Sequence, residues 1–72
     1  MTDVRIDTST WEREYGKKPS GRRYRRFRII SPSIAVKDYE LRTEIPMTFP
    51  RACRGAIERA RQRGSAQIVL LP

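Results

Sequence analysis

The apolar periodicity changes twice between residues 35 and 71, and those two changes restrict the fold more than any other feature. In residues 35–45, Tyr39, Leu41, Thr43 and Ile45 alternate with Asp38, Glu40, Arg42 and Glu44. That period of two marks a strand with one buried face. After Pro46 the spacing becomes helical: Phe49, Cys53, Ala56, Ile57 and Ala60 recur at i, i+4, i+7, i+8 and i+11. Thr48 is a suitable N-cap, Pro50 falls in the first turn where a missing N–H is harmless, and Gly64 is suited to the position just past the helix end. The helix is expected over 49–63. Residues 66–71, Ala-Gln-Ile-Val-Leu-Leu, are almost continuously apolar and read as a buried strand.

Upstream, residues 22–31 contain Tyr24, Phe27, Ile29 and Ile30 and read as a strand, with Ser31-Pro32-Ser33 as the turn into 35–45. The two strands should form an antiparallel hairpin, with basic residues of the first facing acidic residues of the second. A right-handed strand-helix-strand crossover over 35–71 would make the last strand parallel to its partner. The fold class expected is α+β: a small three- or four-stranded sheet with one helix packed on one face, in the order β-β-α-β, with an optional N-terminal strand.

That optional strand lies in residues 1–15, where Val4 and Ile6 alternate with Asp3, Arg5 and Asp7. Ser9-Thr10-Trp11-Glu12 has the form of a capping box, so a helical turn over 10–15 ending at Gly16 is expected. We divide the chain into an acidic arm, 1–15, and a basic α+β domain, 16–72. The whole is one domain of 72 residues, too short for a large core.

Charge is distributed in blocks. The net charge is +8, and seven of the thirteen residues from Gly16 to Arg28 are Lys or Arg with none acidic. Residues 46–72 add five Arg against one Glu, while residues 1–15 carry four acids and two bases. Thirteen of the 16 bases are Arg, whose planar fork of donors suits phosphate and carboxylate, although a GC-rich genome also spells Arg often. Two basic blocks imply an acidic partner, most simply DNA or RNA or a machine holding one. The candidate nucleic-acid-binding residues are Lys17, Lys18, Arg22, Arg23, Arg25, Arg26 and Arg28 in the first block and Arg51 and Arg54 on the helix. Arg-Tyr-Arg-Arg-Phe-Arg interleaves bases with aromatics, as single-strand binding surfaces do. Tyr24 and Phe27 are three apart and point to opposite faces of a strand, so Phe27 reads as core with Ile29, and Tyr24 as exposed. The competing reading of these arginines is a solvated strand edge and an ordinary amphipathic helix.

Catalytic chemistry is thinly represented. There is no His, hence no usual general base or zinc ligand. Cys53 is the only cysteine and reads as a core residue; it excludes an internal disulfide. Asp38 and Glu40 share a strand face, but pairing with bases across the hairpin explains them better than a metal. Gly16-Lys17-Lys18-Pro19-Ser20-Gly21 lacks the spacing of a phosphate loop. No catalytic residue, metal site or cofactor is expected. No signal peptide and no apolar run near the roughly 20 residues a bilayer needs is present, so a cytoplasmic, membrane-free protein, monomeric when free, is expected.

Trp11 stands in an acidic stretch away from the helix and strand patterns, either as an exposed interface anchor or as a lid on the core. With Val4, Ile6 and Tyr24 it forms the candidate protein-binding set. This acidic apolar arm joined to a basic strand, Arg22 to Arg28, in so short a chain resembles small phage-encoded regulators that bind bacterial RNA polymerase. It also resembles phage anti-defence proteins by the same features. The polymerase resemblance implies a non-enzymatic protein of the host cytoplasm that docks on RNA polymerase near nucleic acid, acting by initiation inhibition, sigma displacement or antitermination. On that reading, charge reversal at Arg25 and Arg26 weakens function without unfolding the domain. The alternatives are a direct DNA- or RNA-binding architectural or ribosome-associated protein and, behind it, a small ribonuclease toxin resembling the RelE group.

Overall fold

A computed structural model of the chain describes residues 4–33, 35 and 37–72; the expectations that involve Asp3, Ile34 and Val36 lie outside the described residues. The elements in chain order are β1 (Arg5–Asp7), α1 (Ser9–Tyr15), β2 (Arg22–Arg23), β3 (Arg26–Ile29), β4 (Tyr39–Arg42), β5 (Met47–Thr48), α2 (Phe49–Gln62) and β6 (Gln67–Leu71). Four strands form a mixed sheet in the order β1-β6-β3-β4, and β2 and β5 form a separate two-stranded ribbon. The protein is the small α+β domain that the periodicities imply, with a second short helix and a second small sheet.

The hairpin of β3 and β4 is antiparallel, as expected, but the placing of the last strand differs. β6 runs antiparallel to β3 and parallel to β1, so β3 separates it from β4. The crossover through α2 therefore skips one strand. Burial explains this arrangement. Phe27 and Ile29 of β3 and Ile68 and Leu70 of β6 are all at most 1% exposed, whereas Tyr39 and Leu41 of β4 are only half-buried. The two most apolar strands take the centre, where both neighbours exclude water, and the charged β4 takes an edge.

Both expected long strands are shorter than the patterns imply. The first is interrupted at Tyr24 and Arg25, and only its second part, β3, joins the main sheet. The second is reduced to Tyr39–Arg42; Ile45 is exposed, not buried with Leu41. The pairing continues irregularly past β4, where Arg25 N donates to Thr43 Oγ1 at 2.8 Å and Thr43 N donates to the Arg25 carbonyl at 3.0 Å.

Helix α2 begins after Thr48, whose backbone is extended, with Pro50 in its first turn. It buries a stripe of Ala52, Ala56 and Ala60, which lets it lie close on the sheet, while Phe49 and Ile57 pack at the margin. Its end has Schellman geometry: Ser65 N donates to the Ala60 carbonyl, Gly64 N donates to the Arg61 carbonyl, and Gly64 takes φ +71°. Ser65 then anchors the turn to the sheet, its hydroxyl donating to the Ile30 carbonyl at 2.5 Å.

The acidic segment is part of this fold. Arg5, Ile6 and Asp7 pair with Gln67, Ile68 and Val69. Helix α1 starts one residue before the expected turn. Thr8 is its N-cap and its hydroxyl bonds to the Glu12 carboxylate, while Ser9 is tied to Asp7. Trp11 enters the core with α2 and the sheet, at 3% exposure. Both helices thus cover the same face of the sheet.

Candidate nucleic-acid interface

Alternation along the strands assigns the other face. Phe27 and Ile29 point toward the helices, so Arg26 and Arg28 point away, and by the same parity so do Glu40 and Arg42, Gln67, Val69 and Leu71, and Arg5 and Asp7. No described element covers this face. Strand register arranges its side chains in rows. Arg28 lies opposite both Glu40 and Val69, and Val69 lies opposite Asp7. In the next row Arg26 lies opposite Arg42 on one side and Leu71 on the other.

The expected pairing of basic strand with acidic strand therefore holds at Arg28 and Glu40 and fails at Arg26 and Arg42. Like charges directly opposite each other destabilise a sheet. Arg42 turns to its own strand and donates to Glu40 at 2.9 Å, the only ion pair among the described residues. That bond and the arginines at 42, 26 and 28 hold the Glu40 carboxyl below its ordinary range. Arg26 reaches only the Pro72 carbonyl, at a long 3.5 Å. The open face thus carries Arg5, Arg26, Arg28 and Arg42 against Asp7 and Glu40, with Val69 and Leu71 as its apolar centre.

The candidate basic residues do not form one surface. Arg26 and Arg28 lie on the open face. Arg22 and Arg23 are exposed on β2, after the loop carrying Lys17 and Lys18. Arg51 and Arg54 are exposed on α2, in the helical layer behind the sheet. Arg5 and Arg42 are outside the candidate set because they stand in acidic or neutral stretches; only the strand register brings Arg42 opposite Arg26 and puts Arg5 on the same face, across β6 from β3.

Arg25 requires a correction. It is 2% exposed and unavailable to a phosphate backbone. Parity turns it to the same side as Phe27, and its guanidinium carbon lies over the rings of Trp11, at 5.4 Å, and Phe49, at 5.5 Å. Its Nη2 donates to the Ser20 carbonyl at 3.0 Å and more weakly to that of Gly21, while Nε and Nη1 are buried without a partner among the described residues. Burial lowers this guanidinium from its ordinary value, and the charge of Arg23 adds to the effect. Two aromatic faces and the carbonyls of the 16–21 loop stand in for a carboxylate.

Trp11 is corrected for the same reason: it is the lid, not an exposed anchor. Val4 and Ile6 are half-buried against the core, and of the candidate protein-binding set only Tyr24, 66% exposed, is free on the surface. The stack continues outward from Trp11 through Tyr15, 4.5 Å away, to Arg23 at 6.0 Å. Cys53 is half-buried on α2; burial pushes its thiol up, against the pull of Arg25. No described helix is long and apolar enough to cross a membrane. Compared with known proteins, the chain matches no family model, no curated protein and no solved structure.

Proposed function

We propose that this chain is a non-enzymatic, cytoplasmic protein that binds nucleic-acid backbone on the open face of its sheet. The observation that carries the reading is the opposition of Arg26 and Arg42 on an uncovered face. An arrangement that costs the free protein stability is relieved when an anion lies between the two guanidinium groups, and phosphate takes their donors in pairs. Val69 and Leu71 give the face an apolar centre but no stacking ring, so contact is with backbone and not with base identity. The absence of histidine and the raised thiol of Cys53 favour binding over catalysis.

The test is fluorescence anisotropy with single-stranded RNA and duplex DNA over a salt series. Arg26→Gln combined with Arg42→Gln should weaken binding by about tenfold or more, and each lost contact to a single strand should reduce the salt slope by about 0.7. The same double variant should unfold at equal or higher urea, because it removes a like-charge pair. Unchanged affinity and slope would refute the reading.

A second reading, a regulator docked on bacterial RNA polymerase beside nucleic acid, draws support from one feature: β4 is an edge strand with no described neighbour on its outer side. Association with purified polymerase that survives nuclease treatment is the outcome it requires.

A further inference from the structure

The outer edge of β4 borders a groove whose walls differ from the open face. Thr43 N donates to the Arg25 carbonyl, which makes the Arg25/Thr43 pair one of the hydrogen-bonded type. In an antiparallel ladder the type alternates, so Phe27/Leu41 and Ile29/Tyr39 are also bonded pairs. The N–H and C=O groups of Glu40 and Arg42 consequently point outward, where no described strand receives them. Beside them, between β4 and α2, is a cavity of about 360 Å³ with Leu41, Met47 and Gly55 on its floor and Arg42, Arg51 and Arg59 on its rim. No described acidic residue lines it. A Cβ added at Gly55 would meet nothing within 4 Å, so there is room there for a larger side chain.

We infer that this groove takes an extended protein segment of alternating acidic and aliphatic residues, added as a further strand to β4. The outward pattern of alternating donors and acceptors is matched by another peptide strand, whereas phosphate oxygens satisfy only the donors. Aliphatic side chains on the inner face of the added strand fill the floor against α2, and its carboxylates, on the opposite face, lie beside Arg42. A second copy of this chain fits poorly, since pairing β4 with β4 brings two Arg42, Arg51 and Arg59 sets together in a protein of net charge +8. This surface meets the open face only at Arg42; it gives the polymerase-docking reading a chemistry but does not depend on it.

The probe is a fluorescent decapeptide of alternating Glu and Val, compared with a Lys-Val counterpart and with a Glu-Val peptide N-methylated so that it cannot pair with a strand edge. The Glu-Val peptide should bind and should slow amide exchange at Glu40 and Arg42, and both counterparts should bind weaker by about tenfold or more. Gly55→Leu, which fills the groove from an exposed helix position, should abolish peptide binding while RNA binding is retained and the thermal midpoint stays equal or rises. Arg26→Gln alone, at a residue that does not line the groove, separates the two readings: weakened RNA binding with peptide binding retained leaves this inference standing. Equal binding of the N-methylated peptide, unprotected amides at Glu40 and Arg42, displacement of the peptide by oligo-thymidylate, or a Gly55-dependent dimer in sedimentation would each overturn it.

Discussion

The Arg25 guanidinium lies over the face of Trp11, and both residues are buried at 3% exposure or less. A charge from the most basic stretch of the chain and an aromatic from the most acidic one thus become a single internal contact. It joins α1, the 16–21 loop and, through Phe49, the start of α2. A desolvated cation over an aromatic ring contributes about 2 kcal/mol or more, and here two rings act on one guanidinium.

The expectation that charge reversal at Arg25 spares the fold is therefore replaced by its opposite. Arg25→Glu turns an acceptor toward the Ser20 carbonyl and buries a charge with nothing to pair it, at a cost of about 3–5 kcal/mol. Arg25→Met keeps the packing, removes the desolvated charge, and should lie within about 2 kcal/mol of the parent. Urea unfolding of the two variants measures the difference, and equal midpoints would contradict this account of the site.

Ser65 is the polar hinge between α2 and β6. Its hydroxyl donates to the Ile30 carbonyl and accepts from Gln67 N at 3.3 Å, at 5% exposure. Ser65→Ala should cost about 1–3 kcal/mol, because a half-buried carbonyl loses its donor. Ser65→Cys, a weaker donor of similar size, should fall between the two in thermal unfolding.

Gly55 is helical and open to space, so it has no conformational need to be glycine. Gly55→Ala should raise stability by about 1 kcal/mol by reducing the freedom of the unfolded chain and improving helix propensity. A midpoint unchanged or lowered in urea would mean that the helix is strained there.

The acid limb of the stability curve should depend on Asp7. Hydrogen bonds from the Ser9 hydroxyl and backbone N–H lower its carboxyl from the ordinary value, so the folded state favours the ionised form. The resulting stabilisation is complete above the unfolded value, near pH 4, and is lost as pH falls through the lower folded value. Asp7→Asn should therefore flatten the dependence of the urea midpoint below about pH 4 and leave the alkaline side unaltered. The carboxyl of Asp7, followed by NMR, should titrate below the ordinary aspartate value of about 4.

Legibility of the fold varied with how local its cause was. Helix α2, its start after Thr48 and its Gly64 stop depend on neighbours within one turn, and their spacing was readable, although the Thr48 side chain makes no capping bond among the described residues. The position of β6 between β3 and β1 depends on a competition among strands for the centre, which periodicity along one strand does not express. Arg25 was nearly readable: two residues before Phe27, it must share the core side. The count of bases in its neighbourhood outweighed that parity. Trp11 had two readings from composition, and only the packing of α1 on β6, which carries Trp11 into the core, decides between them. Arg42 became part of the open face through its register with Arg26, a pairing between segments that no count along the chain contains.

The parallel pairing of β1 with β6 has a consequence for how the chain reaches this structure. Ile6 and Ile68 face each other from nearly opposite ends of the described chain, so their contact closes almost the largest loop available. Local steps, the β3–β4 hairpin and α2, can form early, but β1 has no ladder to join until β6 is seated beside β3. Closing such a loop raises the entropic barrier and slows collapse relative to helical domains of similar length. Until that last step Ile68 and Val69 present an unpaired apolar edge, and the acidic segment that finally covers it acts as the guard against association along the folding route.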